Sequence, residues 1–313
     1  MSKKAIFITG STGCIGHYVL DKFVGDPDYD LHLLVRDPKK FLSPYASYDN
    51  VHLHIGDLET IENQKDILSQ CEYLIHIATA WGDSDLSSQL NKDKTHEMLS
   101  YLNPEKLQRI VYFSTASILG PGNKTVIEAE TMGTGYIRSK YRAYLSLKES
   151  PWADKIVTVF PTMVFGGDKT HPHSHISSGI LPSLPYLKWV RFLNMHGAFH
   201  FLHADDIATV TRYALLNPVP SQNLVLGNAV ITGKEAVQIL CKAFNVRCYF
   251  QIKITSRMLM WIAKAFRIRV APWDKYCIEH PFFSYKTVNP STWGIPTKFP
   301  TLQRVLSDIL ERA

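Results

Sequence analysis

The stretch GTGYIRSKYRAYLSLK (133–148) twice sets a tyrosine four residues before a lysine: Tyr136 with Lys140, and Tyr144 with Lys148. On a helix, residues four apart lie on one face about one turn apart, so either pair could place an ammonium beside a phenol. A phenol titrates at about pH 10 in water, and a nearby positive charge favours the phenolate. That makes tyrosine an acid or base of use at neutral pH. Spacing alone does not choose between the two pairs.

A second constellation opens the chain. In TGSTGCIG (9–16), Gly10, Gly13 and Gly16 follow the apolar run AIFIT (5–9) and precede an amphipathic stretch (15–24). Glycines at this spacing, between a buried strand and a helix, let the backbone turn tightly and approach a pyrophosphate held at the helix N-terminus. The segment Gly10, Ser11, Thr12, Gly13, Cys14, Ile15, Gly16 is therefore a candidate cofactor cradle. The second apolar run ends at Arg36, where NAD-selective proteins of this architecture place an acidic residue on the ribose hydroxyls. Arginine grips a 2′-phosphate with its planar fork instead. With Lys39 and Lys40 close by, NADP(H) is favoured and NAD(H) stays open. Asp57 and Leu58 are placed to meet the adenine edge, and Ala78 ends the fourth run beside the cofactor.

These residues need a frame. AIFIT (5–9), LHLLV (31–35), VHLHI (51–55), YLIHI (73–77), RIVYF (109–113) and KIVTVF (155–160) read as buried strands. Amphipathic stretches near 15–24, 59–70, 86–102 and 136–149 lie between them. Strands alternating with helices predict an α/β fold: a Rossmann-type, doubly wound parallel sheet with a smaller C-terminal substrate lobe. A mixed α+β fold would have to ignore six such alternations. Residues 1–165 plus about 203–228 are expected to form the dinucleotide-binding domain, and 166–202 with 229–313 the lobe. In the latter, 166–188 is expected as a proline- and histidine-rich loop. Asp205 or Asp206 should cap a helix, Thr232 and Glu235 should form a capping box on a helix to Phe244, and a last helix should start near Thr301.

The bulk numbers exclude several classes. The 313 residues are 45% hydrophobic with net charge +6, and no run of like charge suggests a nucleic-acid arm. The five cysteines (14, 71, 241, 248 and 277) are scattered and read as reduced thiols, which with no signal peptide points to a cytoplasmic protein. No apolar stretch reaches the roughly 18 residues of a membrane span. HPHSH (171–175) lacks acidic or cysteine partners, so no metal is expected and a mobile loop over the substrate mouth is. SRMLMWIAKAFRIRV (256–270) mixes large apolar residues with Arg257, Lys264, Arg267 and Arg269. Its plainer reading is a lobe helix with one buried face; the sharper is peripheral contact with a lipid surface.

Taken in order, TGSTGCIG, GDL (56–58), HIATA (76–80), YFSTASILG (112–120), YIRSK (136–140), FPTMVFG (160–166) and FLHADDIA (201–208) resemble the extended short-chain dehydrogenase/reductase family, the NAD-dependent epimerase/dehydratase-like proteins. The resemblance covers nearly the whole chain, and it chooses between the tyrosines. GTG is then the loop at the ligand edge and Tyr136 falls in the first helical turn, whereas Tyr144 lies about 12 Å further down the axis. It implies Tyr136 as general acid/base and Lys140 as the lysine lowering its pKa and holding the nicotinamide ribose. Thr115 would hydrogen-bond the same substrate oxygen, with Ser114 and Ser117 its less favoured neighbours. Asn91 would support the lysine, with Thr95 in the same motif, and Pro161 and Val164 would contact the cofactor.

The chain also departs from the family. Cys14 replaces an aromatic residue and Phe160 an arginine. In GAFHFLH (197–203), Phe199 and His200 stand where nucleotide-sugar enzymes tend to carry a phosphate-clamping arginine, which argues for a less charged substrate. The tail PFFSYKTVNPSTWGIPTKFPTLQRVL is loosely similar to sterol-dehydrogenase-like and dihydroflavonol-reductase-like members. The expectation is an NADP(H)-dependent oxidoreductase reducing a ketone, or oxidising a secondary alcohol, on a hydrophobic small molecule, with a homodimer an open possibility. Its rivals are an epimerase/dehydratase with retained NAD(P) and a non-catalytic dinucleotide-binding sensor or scaffold.

Overall fold

A computed structural model of the chain describes residues 3–79 and 90–312, apart from the side chains of residues 90, 91, 195 and 312. Its centre is a seven-stranded parallel sheet. The strands are β1 (Lys4–Thr9), β2 (Tyr29–Val35), β3 (Val51–Ile55), β4 (Tyr73–His76), β5 (Arg109–Phe113), β6 (Ile156–Pro161) and a late strand, Asn223–Leu226. The spatial order is Asn223–Leu226, β6, β5, β4, β1, β2, β3. Chain direction away from β1 reverses between β1 and β4, which opens a crevice at the carboxyl ends of those strands.

Most of these strands run apolar with little alternation, because both faces of the sheet are covered, whereas the edge strand β3 (VHLHI) alternates and is partly open to solvent. Successive side chains still point to opposite sides. Ile6 and Ile8 join Leu31, Leu33, Leu20, Phe23, Ile207 and Val210 in one core. Phe7, between them, joins Leu34, Leu74, Ile110, Met98 and Leu147 in the other. A third cluster, with Phe165, Ile180, Phe201, Phe299, Val305 and Leu306, lies among the late elements.

Two local expectations are corrected. Residues 166–188 are not one loop: Ser174 accepts a hydrogen bond from the Ser177 amide and starts a helix, His175–Val190, that continues through Pro182 and Pro185. Prolines remove two helical hydrogen bonds, but Ile180 and Leu187 are buried and hold the helix to the lobe. The helix Ala204–Leu216 is capped by His203, whose Nδ1 accepts the Asp205 N–H at 3.1 Å, and not by Asp205 or Asp206. Asp206 instead turns inward and accepts the backbone N–H groups of Lys298 and Phe299 at 2.8 and 3.0 Å. The capping box forms as expected, with Thr232 and Glu235 exchanging hydrogen bonds at the start of Gly233–Ala243. The last helix is Leu302–Arg312.

Candidate active site

The crevice is a cleft of about 1090 Å³ that runs from the β1 turn to the lobe. At one end, Gly10 has φ of +75°, and a Cβ there would sit 2.6 Å from the Ala78 nitrogen. A Cβ on Gly16 would meet the Gly10 carbonyl oxygen at 2.2 Å. Protein packing alone therefore accounts for these two glycines. Gly13 is different. Its φ is −86° and its Cβ would come no closer than 3.4 Å to any protein atom. It caps the helix Cys14–Leu20 without a side-chain hydrogen bond and faces the cleft. A glycine that the protein itself does not require, at a turn in front of a helix, fits the close approach of a pyrophosphate.

Thr12, Cys14, Ile15, Arg36, Asp57, Leu58, Ala78, Pro161 and Val164 also line the cleft. Ser11, expected among them, is fully buried and off the cleft wall, because the turn rotates it inward. Arg36 is exposed just past β2. Asp37, the next residue, caps the turn that follows, its carboxylate accepting the Lys39 N–H at 3.0 Å.

At the other end, Thr134 accepts the Ile137 N–H and starts the helix Gly135–Lys148, which sets Tyr136 in the first turn. Tyr136, Lys140, Ser114, Thr115 and Ser117 all line the cleft. Tyr144 does not: it is buried edge-to-face on Phe160, with its hydroxyl on Asn223 at 3.2 Å. Lys148 is exposed and lies over the Tyr144 ring. Burial pushes the Tyr136 phenol up to about 12, against the pull of a hydrogen bond from Thr115. The expected lowering by Lys140 is not what this geometry produces. The Lys140 amine donates to the Phe113 carbonyl at 2.7 Å, and burial brings its own pKa down to about 7, so its charge is weakened at neutral pH. Thr115 is oriented by the turn it caps, accepting the Ser117 N–H at 3.2 Å. The Ser114 hydroxyl, buried on the same wall, has no partner among the described residues. Asn91 belongs by backbone to the turn Leu90–Lys94, and its side chain lies outside the described residues.

Behind the catalytic strands, His76 bridges Thr9 at 2.7 Å and Thr95 at 3.0 Å, and Thr9 also accepts the Ala78 N–H. Burial, and then the Lys140 charge, hold this imidazole neutral with a pKa near 3.

The lobe side of the cleft carries no formal charge. Phe199, His200, Trp273, Cys277, Phe283 and Tyr285 face it. Among the described lining residues, Arg36 and Lys140 are the only cations besides histidine and Asp57 and Glu59 the only carboxylates. His200 is fully engaged as a neutral ring: Nδ1 donates to the Asn228 carbonyl at 2.7 Å and Nε2 accepts the Tyr285 N–H at 3.0 Å. The Tyr285 hydroxyl donates to the carbonyls of Ala116 and Leu119, in the turn that Thr115 caps. Trp273, in the short helix Pro272–Glu279, and Phe283 and Tyr285, in the irregular segment after it, escaped the sequence reading because neither segment has a pattern that points to the cleft.

The histidine-rich segment is anchored, in contrast to the mobile loop expected. His171 bonds Asp21 at 2.7 Å and Asp168 at 2.9 Å and stacks on Tyr18. Burial lowers its pKa, but these two carboxylates outweigh that and raise it. His173 and His175 then line the cleft. No metal-holding cluster occurs among the described residues.

A doubly wound parallel sheet with a glycine-turn crevice at its switch point defines a dinucleotide-binding enzyme fold. The chain belongs to the NAD dependent epimerase/dehydratase family, whose model matches residues 6–227. It is therefore an NAD(P)-binding protein of the extended short-chain dehydrogenase/reductase type. Solved structures share its fold at low identity. Vestitone reductase from alfalfa (Medicago sativa) is 17% identical, with 99% of this chain and 97% of that one covered and a TM-score of 0.67. The UDP-N-acetylglucosamine 4-epimerase of Methanobrevibacter ruminantium is 14% identical with both chains fully covered and a TM-score of 0.68. The dTDP-glucose 4,6-dehydratase of Bacillus anthracis, in complex with NAD, is 14% identical, with 98% and 97% covered and a TM-score of 0.63. No curated protein matches the chain in sequence.

Proposed function

We propose that the chain is an NADP(H)-dependent reductase of a ketone on a hydrophobic, uncharged small molecule. The observation that carries this reading is the lobe wall of the cleft: aromatic, free of arginine, and with its one buried histidine already committed at both ring nitrogens. A sugar-nucleotide diphosphate would be left there without a cationic clamp. A flat, weakly polar ring system suits such a wall.

Gly10, residues 12–16, Arg36, Asp57, Leu58 and Ala78 would hold the dinucleotide, which when bound supplies the hydride chemistry. Tyr136 would hold a proton at its phenolic oxygen and deliver it to the substrate oxygen, which Thr115 orients. Burial favours the protonated phenol, the form that can hand a proton to the substrate oxygen in a reduction. Lys140, fixed to the Phe113 carbonyl, would position the ribose.

The test is net NADPH consumption with a panel of aromatic and alicyclic ketones beside UDP-sugars. Stoichiometric oxidation of NADPH by members of the ketone set is expected. Conversion of a UDP-sugar without net consumption, on a tightly retained nucleotide, would replace this reading with an epimerase, and absence of any turnover would leave a binding protein.

The NADP preference rests on Arg36. Arg36→Asp is expected to weaken NADPH binding on the order of 10- to 100-fold by loss of the 2′-phosphate grip, with NADH little changed. Titration calorimetry with both nucleotides checks this, and equal losses would remove the preference.

A further inference from the structure

The helix Ser256–Ala265 does not bury the apolar face that its sequence offers. Of its ten residues only Ala263 is buried, while Trp261 is 70% exposed, and just beyond it Phe266 is 75% exposed and Ile268 is 59% exposed. The same condition extends into the chain leading to it. Tyr249 and Phe250 are 67% and 63% exposed, and Trp189, at the end of the helix His175–Val190, is 66% exposed. These segments are joined in space: Phe250 packs on Phe192 at 5.4 Å between ring centroids, and the Arg191 guanidinium lies over both Phe192 and Tyr249. Ile252–Ile254 pairs as a strand with Leu193–Met195 and feeds directly into the Thr255 cap of the helix. Twelve of the nineteen exposed large apolar side chains among the described residues fall within 176–189 and 249–268. A monomer in water rarely collects exposed aromatic residues in this way.

The charge on the same segments is one-sided. Between Glu235 and Asp274 there is no acidic residue, and there are seven basic ones: Lys242, Arg247, Lys253, Arg257, Lys264, Arg267 and Arg269. That single stretch carries more positive charge than the net +6 of the whole chain. All seven are exposed, and none is ion-paired among the described residues. Residues 169–204, which contribute Trp189 and Arg191, are likewise free of Asp and Glu.

Protruding aromatic side chains ringed by unpaired cations, with no carboxylate among them, complement one kind of surface. Indole and phenol rings favour the headgroup level of a bilayer, and lysine and arginine follow the negative potential of anionic lipid while their stems lie along the apolar boundary. A second copy of this chain would bring like charge against like charge at such a face. We propose that the face built by residues 186–192 and 247–269 docks onto the surface of an anionic lipid bilayer, with Trp261, Phe266 and Ile268 entering the headgroup region. No helix among the described residues is long and apolar enough to cross a membrane, so the contact is interfacial. The helix also packs on Pro272–Glu279, which carries Trp273 and Cys277 of the cleft wall, so the docked face adjoins the substrate end of the site.

The experiment is sedimentation of the full chain with vesicles of phosphatidylcholine alone and of phosphatidylcholine mixed with phosphatidylserine, at low and high salt. The expected result is binding to the mixed vesicles, weakened by salt, with little binding to phosphatidylcholine. Arg267→Glu with Arg269→Glu, and separately Trp261→Ser with Phe266→Ser, should each reduce binding on the order of tenfold or more with melting temperature unchanged, since all four side chains are exposed. Failure of the parent to bind the mixed vesicles at low salt overturns the proposal. So does equal binding by parent and variants. A concentration-dependent dimer that dissolves on Trp261→Ser, without vesicle binding, would assign the face to self-association instead. NADPH turnover does not enter any of these outcomes, so the proposal stands or falls apart from the reductase reading.

Discussion

A Tyr136→Phe variant is expected to bind NADPH like the parent and to lose turnover by roughly 10²- to 10⁴-fold, the usual range for a positioned acid or base. The substitution removes one oxygen and keeps the ring that packs against the Thr115 turn, so the cleft keeps its shape. The hydrogen bond between the phenol and Thr115 goes with it, about 1 kcal/mol of stability. Tyr144→Phe is the matched control. Its hydroxyl meets Asn223 on the far side of the helix, outside the cleft, so that variant should retain parental activity. Stopped-flow turnover alongside a nucleotide titration reads both quantities. A Tyr136→Phe protein as active as its parent would end the acid–base assignment, whatever the substrate proves to be.

The second large effect divides the glycines of the β1 turn. Gly16→Val is expected to destabilise the protein by more than about 3 kcal/mol, because its Cβ would be driven against the backbone at Gly10 and Ser11, which cannot yield. Gly13→Val should cost far less, about the 1 kcal/mol that separates glycine from an aliphatic residue at a helix N-cap, because its φ is ordinary for any residue and its Cβ meets only ordinary contact. It should instead lower dinucleotide affinity by about 100-fold or more, by filling the place where a pyrophosphate must come close. Differential scanning calorimetry and nucleotide titration on the two variants decide it. A Gly13→Val protein with parental affinity would remove the phosphate from this turn.

How far the sequence could be read depended on whether neighbours in the chain are also neighbours in space. The strands from Lys4 to Pro161 were legible because most are continuous apolar runs buried on both faces, although Val51–Ile55, expected to be buried, is an edge strand left partly open to solvent; the glycine turn was legible because it lies between such a run and a helix. The pair Tyr136–Lys140 was legible as a spacing, but not the direction in which Lys140 points: its partner is the carbonyl of Phe113, 27 residues away on the neighbouring strand. The helix His175–Val190 was hidden by Pro182 and Pro185, since prolines in mid-run argue against a helix wherever tertiary burial does not override them. Of the aromatic wall only Phe199 had a signal, as the absence of an arginine. Phe283 and Tyr285 reach the same wall because the Phe283 N–H donates to the Ala198 carbonyl and the Tyr285 N–H to His200. The apolar-basic character of 256–270 was plain in the sequence. That its apolar side is left open to solvent was not, since an amphipathic pattern gives a direction and says nothing of what lies there.

The bonds from Tyr285 to Ala116 and Leu119 set an order of events during biosynthesis. All seven strands of the sheet have been synthesised once residue 226 is added, and the glycine turn with them. The turn under Thr115 gains its strut only after some sixty further residues have been added. A chain ended before Tyr285 would thus contain every strand of the sheet and still lack the strut under the turn that Thr115 caps.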